Sequence, residues 1–189
     1  MAGEMPQSLR ADALENRLEI LSAARRLFAS QGIGVTMRDV ARAAGVGPAT
    51  LYRRFPTKKH LVNEAFADEL RECREIVAQG SADVDPWRGL CAIVERIGVL
   101  NARNHGFVEA FAAEYPELDA FVAHRAELLA HLRGLCGRAA AAGTLRHDFA
   151  FDDFVLVLLA GRGLSTLPAR QREAAARRFA VLALDALRA

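Results

Sequence analysis

A chain of 189 residues, 52% hydrophobic and 25% charged, is long enough for one helical unit with a real core or for a small head on a larger body. Its net charge of +2 hides an asymmetry: residues 1–61 hold 10 Lys and Arg against 5 Asp and Glu, whereas residues 62–189 hold 15 against 18. The first part therefore suits a polyanionic partner and the second does not. The start lacks the apolar core of a signal peptide and no stretch has the length to span a bilayer, so a cytoplasmic protein with no membrane partner is expected.

In chain order, residues 1–13 read as a flexible N-terminal arm, with Arg10 placed to reach a groove or a phosphate. A helix follows over about 14 to 30, with Leu14, Leu18, Leu21 and Phe28 on one inward stripe and Gly32 ending it. The run at 36–59, TMRDVARAAGVGPATLYRRFPTKK, has the form of a helix-turn-helix. Thr36 caps a helix starting near Met37, with Asp39 three residues on. Gly45 supplies the left-handed residue at its end. Pro48 then suits the first position of a second helix that stops before Pro56. Leu51 and Phe55, four apart, turn inward and leave Ala49, Thr50, Tyr52 and Arg53 outside. Thr57 caps a further helix that opens with Lys58 and Lys59, the only lysines of the chain, an end suited to gripping a phosphate.

This segment resembles the TetR family of one-component transcriptional regulators. The likeness rests on Arg17, Ile20-Leu21, Ala23-Ala24, Leu27-Phe28, Gly32, Thr36, Val40-Ala41, Ala44-Gly45-Val46, Thr50-Leu51-Tyr52, Phe55 and Lys58. It covers about 14 to 61. The resemblance implies an all-α protein: a three-helix helix-turn-helix DNA-binding domain over 14–61 and a helical ligand-binding and dimerisation domain over 62–189. Thr50, Ala49 and Arg53 are the expected base readers, because a guanidinium can pair bidentately with guanine. Thr36, Tyr52 and Lys58 are expected on phosphates, with Arg38, Gly47 and Pro48 also at the interface.

Past the head, apolar spacing through Leu61, Ala65, Phe66, Leu70, Cys73 and Val77 predicts one unbroken helix over 57–79, a candidate lever between head and body. Pro86 restarts a helix carrying Trp87, Leu90, Cys91, Val94 and Ile97, broken at Asn104-His105-Gly106. A short helix from about Phe107 leads to Pro116, and a longer one runs through Phe121, Leu128 and Leu132 to Gly143. The segment 150–161 suits a strand by propensity, but with no second strand to pair it is expected as a helix. A last helix spans about 170 to 187. Its many alanines permit close approach, and with its predecessor it can form a four-helix interface across a twofold axis, as TetR-like proteins usually do. Phe154, Leu158, Phe179 and Leu182 are the expected contacts of that homodimer.

The ligand-binding half that the resemblance implies would enclose a small, largely apolar molecule among Phe66, Trp87, Cys91, Val94, Phe107, Phe111, Phe121 and Leu128. For any single one of these, a place in a plain core is the preferred reading. Two polar residues fall on otherwise apolar stripes: Asn101, and Arg125 between Phe121 and Leu128. Arg125 needs a partner, and Glu95, Glu109 or Glu114 is preferred over an anionic ligand. The odd number of cysteines, Cys73, Cys91 and Cys136, argues for reduced buried thiols. No cofactor or metal is expected, because no cluster has zinc-site spacing and no third glycine completes a dinucleotide motif. No Gly-x-Ser-x-Gly elbow suggests an enzyme. The expected function is a repressor released from a pseudo-palindromic operator in double-stranded DNA by a small-molecule effector. The alternatives are a DNA-binding dimer without a ligand, or a helical carrier of hydrophobic molecules.

Overall fold

The computed structural model describes residues 7–112 and 119–189, with side chains over 14–110 and 121–189. The fold is all-α: α1 (Gln7–Gln31), α2 (Met37–Ala43), α3 (Pro48–Arg54), α4 (Lys58–Ala65), α5 (Ala67–Ser81), α6 (Pro86–Arg103), α7 (His105–Ala112), α8 (Asp119–Ala141), α9 (Phe151–Ala160), a 3-10 helix (Gly161–Thr166) and α10 (Ala169–Leu187). Among the described residues, no helix is long and apolar enough to cross a membrane. The chain divides into two compact units, Met1–Ala67 and Asp68–Ala189.

In the first unit, α1 begins at Gln7, inside the segment expected as an arm. The side chain of Arg10 lies outside the described residues. The inward stripe of α1 is Ile20, Ala23, Ala24 and Phe28, all fully buried, whereas Leu14 and Leu18 are exposed. The stripe is thus displaced from the expected one along a 25-residue helix that is longer than the two short helices it supports.

Local chemistry sets the turn. Thr36 Oγ1 accepts the Asp39 amide at 3.2 Å while Asp39 Oδ2 accepts the Thr36 amide at 3.3 Å, a reciprocal capping box. At the other end of α2, Val46 N–H donates to Ala41 O at 3.0 Å and Gly45 N–H to Arg42 O at 3.2 Å, with Gly45 at φ 67°. That pairing is a Schellman motif, and only glycine enters its left-handed position without steric cost.

The continuous helix expected over 57–79 is two helices. Phe66, at φ −114° and ψ 17°, ends α4. Its ring is buried in the first unit, 5.8 Å from that of Phe28, so burying an aromatic side chain there prevails over helical continuity.

In the second unit, α6 and α10 pack lengthwise through small residues. Ala102 and Ala176 are buried with Val99, and a Cβ added at Gly98 would come within 3.9 Å of Ala176. The alanine face of α10, Ala176, Ala180 and Ala183, is therefore buried within the chain instead of being held for a partner. Arg103 pairs with Glu173 at 2.8 Å, and Arg177 pairs with Glu95. At the start of α6 the Asp85 carboxylate accepts the amides of Trp87 and Arg88, at 2.9 and 3.1 Å.

His124 is a buried polar group between α5 and α8, 3% exposed, with Nδ1 3.3 Å from Arg74 Nη1. A guanidinium only donates, so Nδ1 accepts and the ring is neutral with its proton on Nε2. Burial first, and the Arg74 charge second, hold its pKa down at about 4 against an ordinary 6.5. An unfolded chain takes up this proton first as pH falls, so the contribution is intact above about 6.5 and is lost toward 4. We expect about 2 kcal/mol less stability at pH 5 than at pH 7.5 from this residue. Urea unfolding of the native chain and of His124→Gln at both pH values checks it. An unchanged pH difference in the variant would exclude His124 as the cause.

Candidate nucleic-acid interface and body cavity

Helix α3 is anchored from one side. Leu51 and Phe55 are fully buried, and Phe55 N–H donates to Leu51 O at 2.8 Å. The Arg17 guanidinium lies 4.8 Å from the centre of the Phe55 ring and pairs with the Glu64 carboxylate, which ties α1 to α4. The opposite side of α3 presents Pro48, Ala49, Tyr52 and Arg53, with Thr50 half-buried at the edge. Of the tandem Arg53-Arg54, only Arg53 is fully exposed, and Arg54 turns partly inward with its Nε buried. The outer surface thus combines small residues that allow close approach, one aromatic hydroxyl and one outward guanidinium, a set able to meet base edges and phosphates. Arg38 is exposed on α2. The Thr36 hydroxyl donates to Asp39 Oδ2 at 2.6 Å, so its proton is committed to the cap rather than offered to a phosphate. Gly47 is the N-cap of α3, and the Thr57 hydroxyl accepts the His60 amide at 3.1 Å, which sets α4 with Lys58 in its first turn.

The second unit holds a cavity of about 80 Å³. Its wall comes from α5 (Cys73, Val77), α6 (Ile93, Ile97, Asn101), α7 (Phe107, Val108), α8 (Arg125, Leu128, Leu129, Leu132), α9 (Leu158) and the 3-10 helix (Arg162). Of the residues expected around a ligand, Asn101, Phe107, Arg125 and Leu128 line this cavity. Trp87 and Cys91 line an outer groove with Glu95 and α10 residues Arg177 and Leu184. Helical spacing explains the split, because 93, 97 and 101 share one face of α6 while 87, 91 and 95 lie about a third of a turn round from it. Val94 is buried off the cavity wall, and the Phe121 ring packs tilted against that of Phe107, with centres 6.2 Å apart. Phe66 belongs to the other unit, and the side chain of Phe111 lies outside the described residues.

Leu158 is half-buried and lines the cavity, and Phe154 is fully buried. The residues of α9 that point outward are Leu156 and Leu159, 63% and 42% exposed. On α10, Val181 and Leu182 are exposed, while Phe179 is half-buried against Gly161. Sequence reasoning also missed Arg162. The available signal was one charge between two glycines at the end of a long apolar run. Of the carboxylates expected near Arg125, Glu95 pairs with Arg177, and Glu114 lies outside the described residues. His105 Nδ1 hydrogen-bonds with Ser165 Oγ at 2.8 Å. The thiols are held protonated by burial, Cys73 pushed up to about 12 and Cys136 to about 11.

A family profile described as bacterial regulatory proteins, tetR family, matches residues 20–65. Over nearly its full length the chain is 31% identical to the TetR transcriptional regulator SCO0520 from Streptomyces coelicolor, covering 91% of this chain and 98% of that one with a TM-score of 0.53. The chain belongs to the TetR family. TetR-type architecture also recurs in the regulator PfmR from Thermus thermophilus, 21% identical over 88% of this chain and 97% of that one, with a TM-score of 0.72. This second likeness shows the fold alone. The HTH-type transcriptional repressor KstR2 of Rhodococcus jostii (strain RHA1) is 44% identical over 69 residues, 34% of each chain. The match thus spans about a third of that relative's length.

Proposed function

We propose that this TetR-family chain is a sequence-specific repressor that binds a pseudo-palindromic operator as a homodimer and leaves it when a small, largely apolar molecule enters the body. The observation that carries the DNA-binding part is the one-sided anchoring of α3, which holds Ala49, Thr50, Tyr52 and Arg53 outward on a helix fixed by Leu51 and Phe55. The cavity between α5 and α9 supports the ligand part. The outward Leu156, Leu159, Val181 and Leu182 support the dimer, because apolar side chains so exposed gain from being covered. Such a dimer reads two half-sites spaced by roughly 34 to 36 Å or a related helical phasing.

In vitro selection from random duplex DNA at near-physiological salt tests this reading. An enriched palindrome is expected, and salt-sensitive binding with no enriched sequence would overturn it. On the selected site, Arg53→Ala is expected to lose about 1 to 3 kcal/mol of discrimination, while Lys58→Ala weakens all sequences alike and lowers the salt slope by about one. Full discrimination retained by the Arg53 variant would remove that residue from the base-reading set. Competition binding with matched and mismatched duplexes separates the two effects.

A further inference from the structure

Arg162 stands out because its surroundings are apolar and its position is fixed. It sits in the 3-10 helix (Gly161–Thr166) between α9 and α10. Ser165, 1% exposed, donates through Oγ to the Arg162 carbonyl at 2.8 Å and accepts from His105 Nδ1 at 2.8 Å. The hydroxyl proton is used on the carbonyl, so the imidazole must be the donor in the second bond. This relay pins the Arg162 backbone to the start of α7, and its side chain lies in the cavity wall with Asn101 and Arg125.

The charge in this wall is of one sign. Among the described residues, no carboxylate lines the cavity and none pairs with Arg162. The other lining groups are Cys73 and aliphatic or aromatic side chains. Burial and the neighbouring Arg125 charge both push the Arg162 guanidinium toward a lower pKa. An arginine stays protonated even so, so the strain is carried as unfavourable electrostatic energy that an anion would relieve. The volume narrows the choice further. About 80 Å³ is on the order of half of an apolar cavity that takes up benzene, which favours a slender chain over a fused-ring body.

We infer that the cavity takes an amphiphilic anion, a short aliphatic chain ending in a carboxylate, with the chain among Val77, Ile93, Leu128 and Leu132 and the carboxylate on Arg162 beside Arg125 and Asn101. This rests on the reading of the cavity as the effector site. A planar guanidinium matches a carboxylate through two parallel N–H bonds, and a desolvated pocket strengthens them. Asn101, on the same helical face as Ile93 and Ile97, adds an amide donor at the same end. An alcohol of equal length would fill the same space without satisfying the guanidinium, and an ammonium would be repelled by it.

Three probes that differ only in the head group test the inference: butanoate, butan-1-ol and butylammonium, titrated calorimetrically into the full-length protein. Butanoate is expected to bind at least about tenfold more tightly than butan-1-ol, with butylammonium giving no measurable heat of binding. Arg162→Met should erase the preference for the acid while keeping butan-1-ol affinity, and Arg162→Lys should preserve its direction. The alcohol reports in each variant that the cavity is still formed. Equal binding of acid and alcohol by the native chain, or an unchanged ratio in Arg162→Met, would overturn the anionic assignment while leaving a ligand cavity in place. Failure of all three probes would overturn the assignment together with the effector reading of this cavity.

Discussion

Replacing Phe55 by alanine is expected to abolish binding to operator DNA while leaving the second unit folded. The side chain is fully buried, with its ring under the Arg17 guanidinium at 4.8 Å and 5.8 Å from the His60 ring. It is therefore the point where α1, α3 and α4 meet, and within α3 itself only Leu51 is buried alongside it. Truncating such a phenylalanine costs about 3 to 5 kcal/mol, part lost transfer energy and part cavity. A unit of this size has a net stability of the same order, since small domains bury a smaller fraction of their surface. The exposed residues Ala49, Tyr52 and Arg53 would then lose the scaffold that aims them, although none of them is altered. Hydrogen exchange resolved by peptide should show protection lost over α1 to α4 and kept over α6 and α10. Undiminished operator affinity in this variant would show that the head does not depend on this anchor.

The second large effect is expected at Gly89, where α5 and α6 approach backbone to backbone. A Cβ built there would lie 2.2 Å from the Gly80 carbonyl oxygen, and one built at Gly80 would lie 2.9 Å from the Gly89 carbonyl oxygen and 2.5 Å from Ile93 Cγ1. A side chain can rotate away from such a clash, but a helix backbone can only separate. Gly89→Ala is therefore expected to cost about 3 kcal/mol or more, at the upper end for overpacking. The consequence reaches the cavity, because α5 supplies Cys73 and Val77 and α6 supplies Ile93, Ile97 and Asn101 to its wall. The unfolding temperature of Gly89→Ala and its butan-1-ol affinity should fall together. Stability within about 0.5 kcal/mol of the native chain, the range of neutral surface substitutions, would mean that the two helices can part without loss.

Much of the head was legible in the sequence because its determinants are local. Thr36 with Asp39, Gly45 in the Schellman position, Pro48 at the first position of α3 and Thr57 before α4 act within four residues of themselves, so reading them requires no knowledge of the rest of the chain. The inward turn of Leu51 and Phe55 followed from helical period alone. Helical content beyond the head was legible for the same reason, down to the ends of α9 and α10 within about a residue or two, the usual slack of helix boundaries.

The body was less legible because which apolar face meets which neighbour is a long-range matter. On α6 one amphipathic pattern concealed two faces, 93-97-101 toward the cavity and 87-91-95 toward a groove with α10. Periodicity shows that both exist without saying what each one covers. On α9, apolar residues occur on nearly every face, so nothing in sequence separates buried Phe154 and cavity-lining Leu158 from exposed Leu156 and Leu159. The break at Phe66 was hidden because its cause, the ring of Phe28, lies far back along the chain.

The all-α class, the helix-turn-helix and the outward residues of α3 are written in short stretches of the chain, since capping, turn chemistry and helical period are properties of a few neighbouring residues. The place of the cavity and of Arg162 in its wall emerges from long-range packing, because side chains from six separate elements converge there and burial and charge pairing are defined by that convergence.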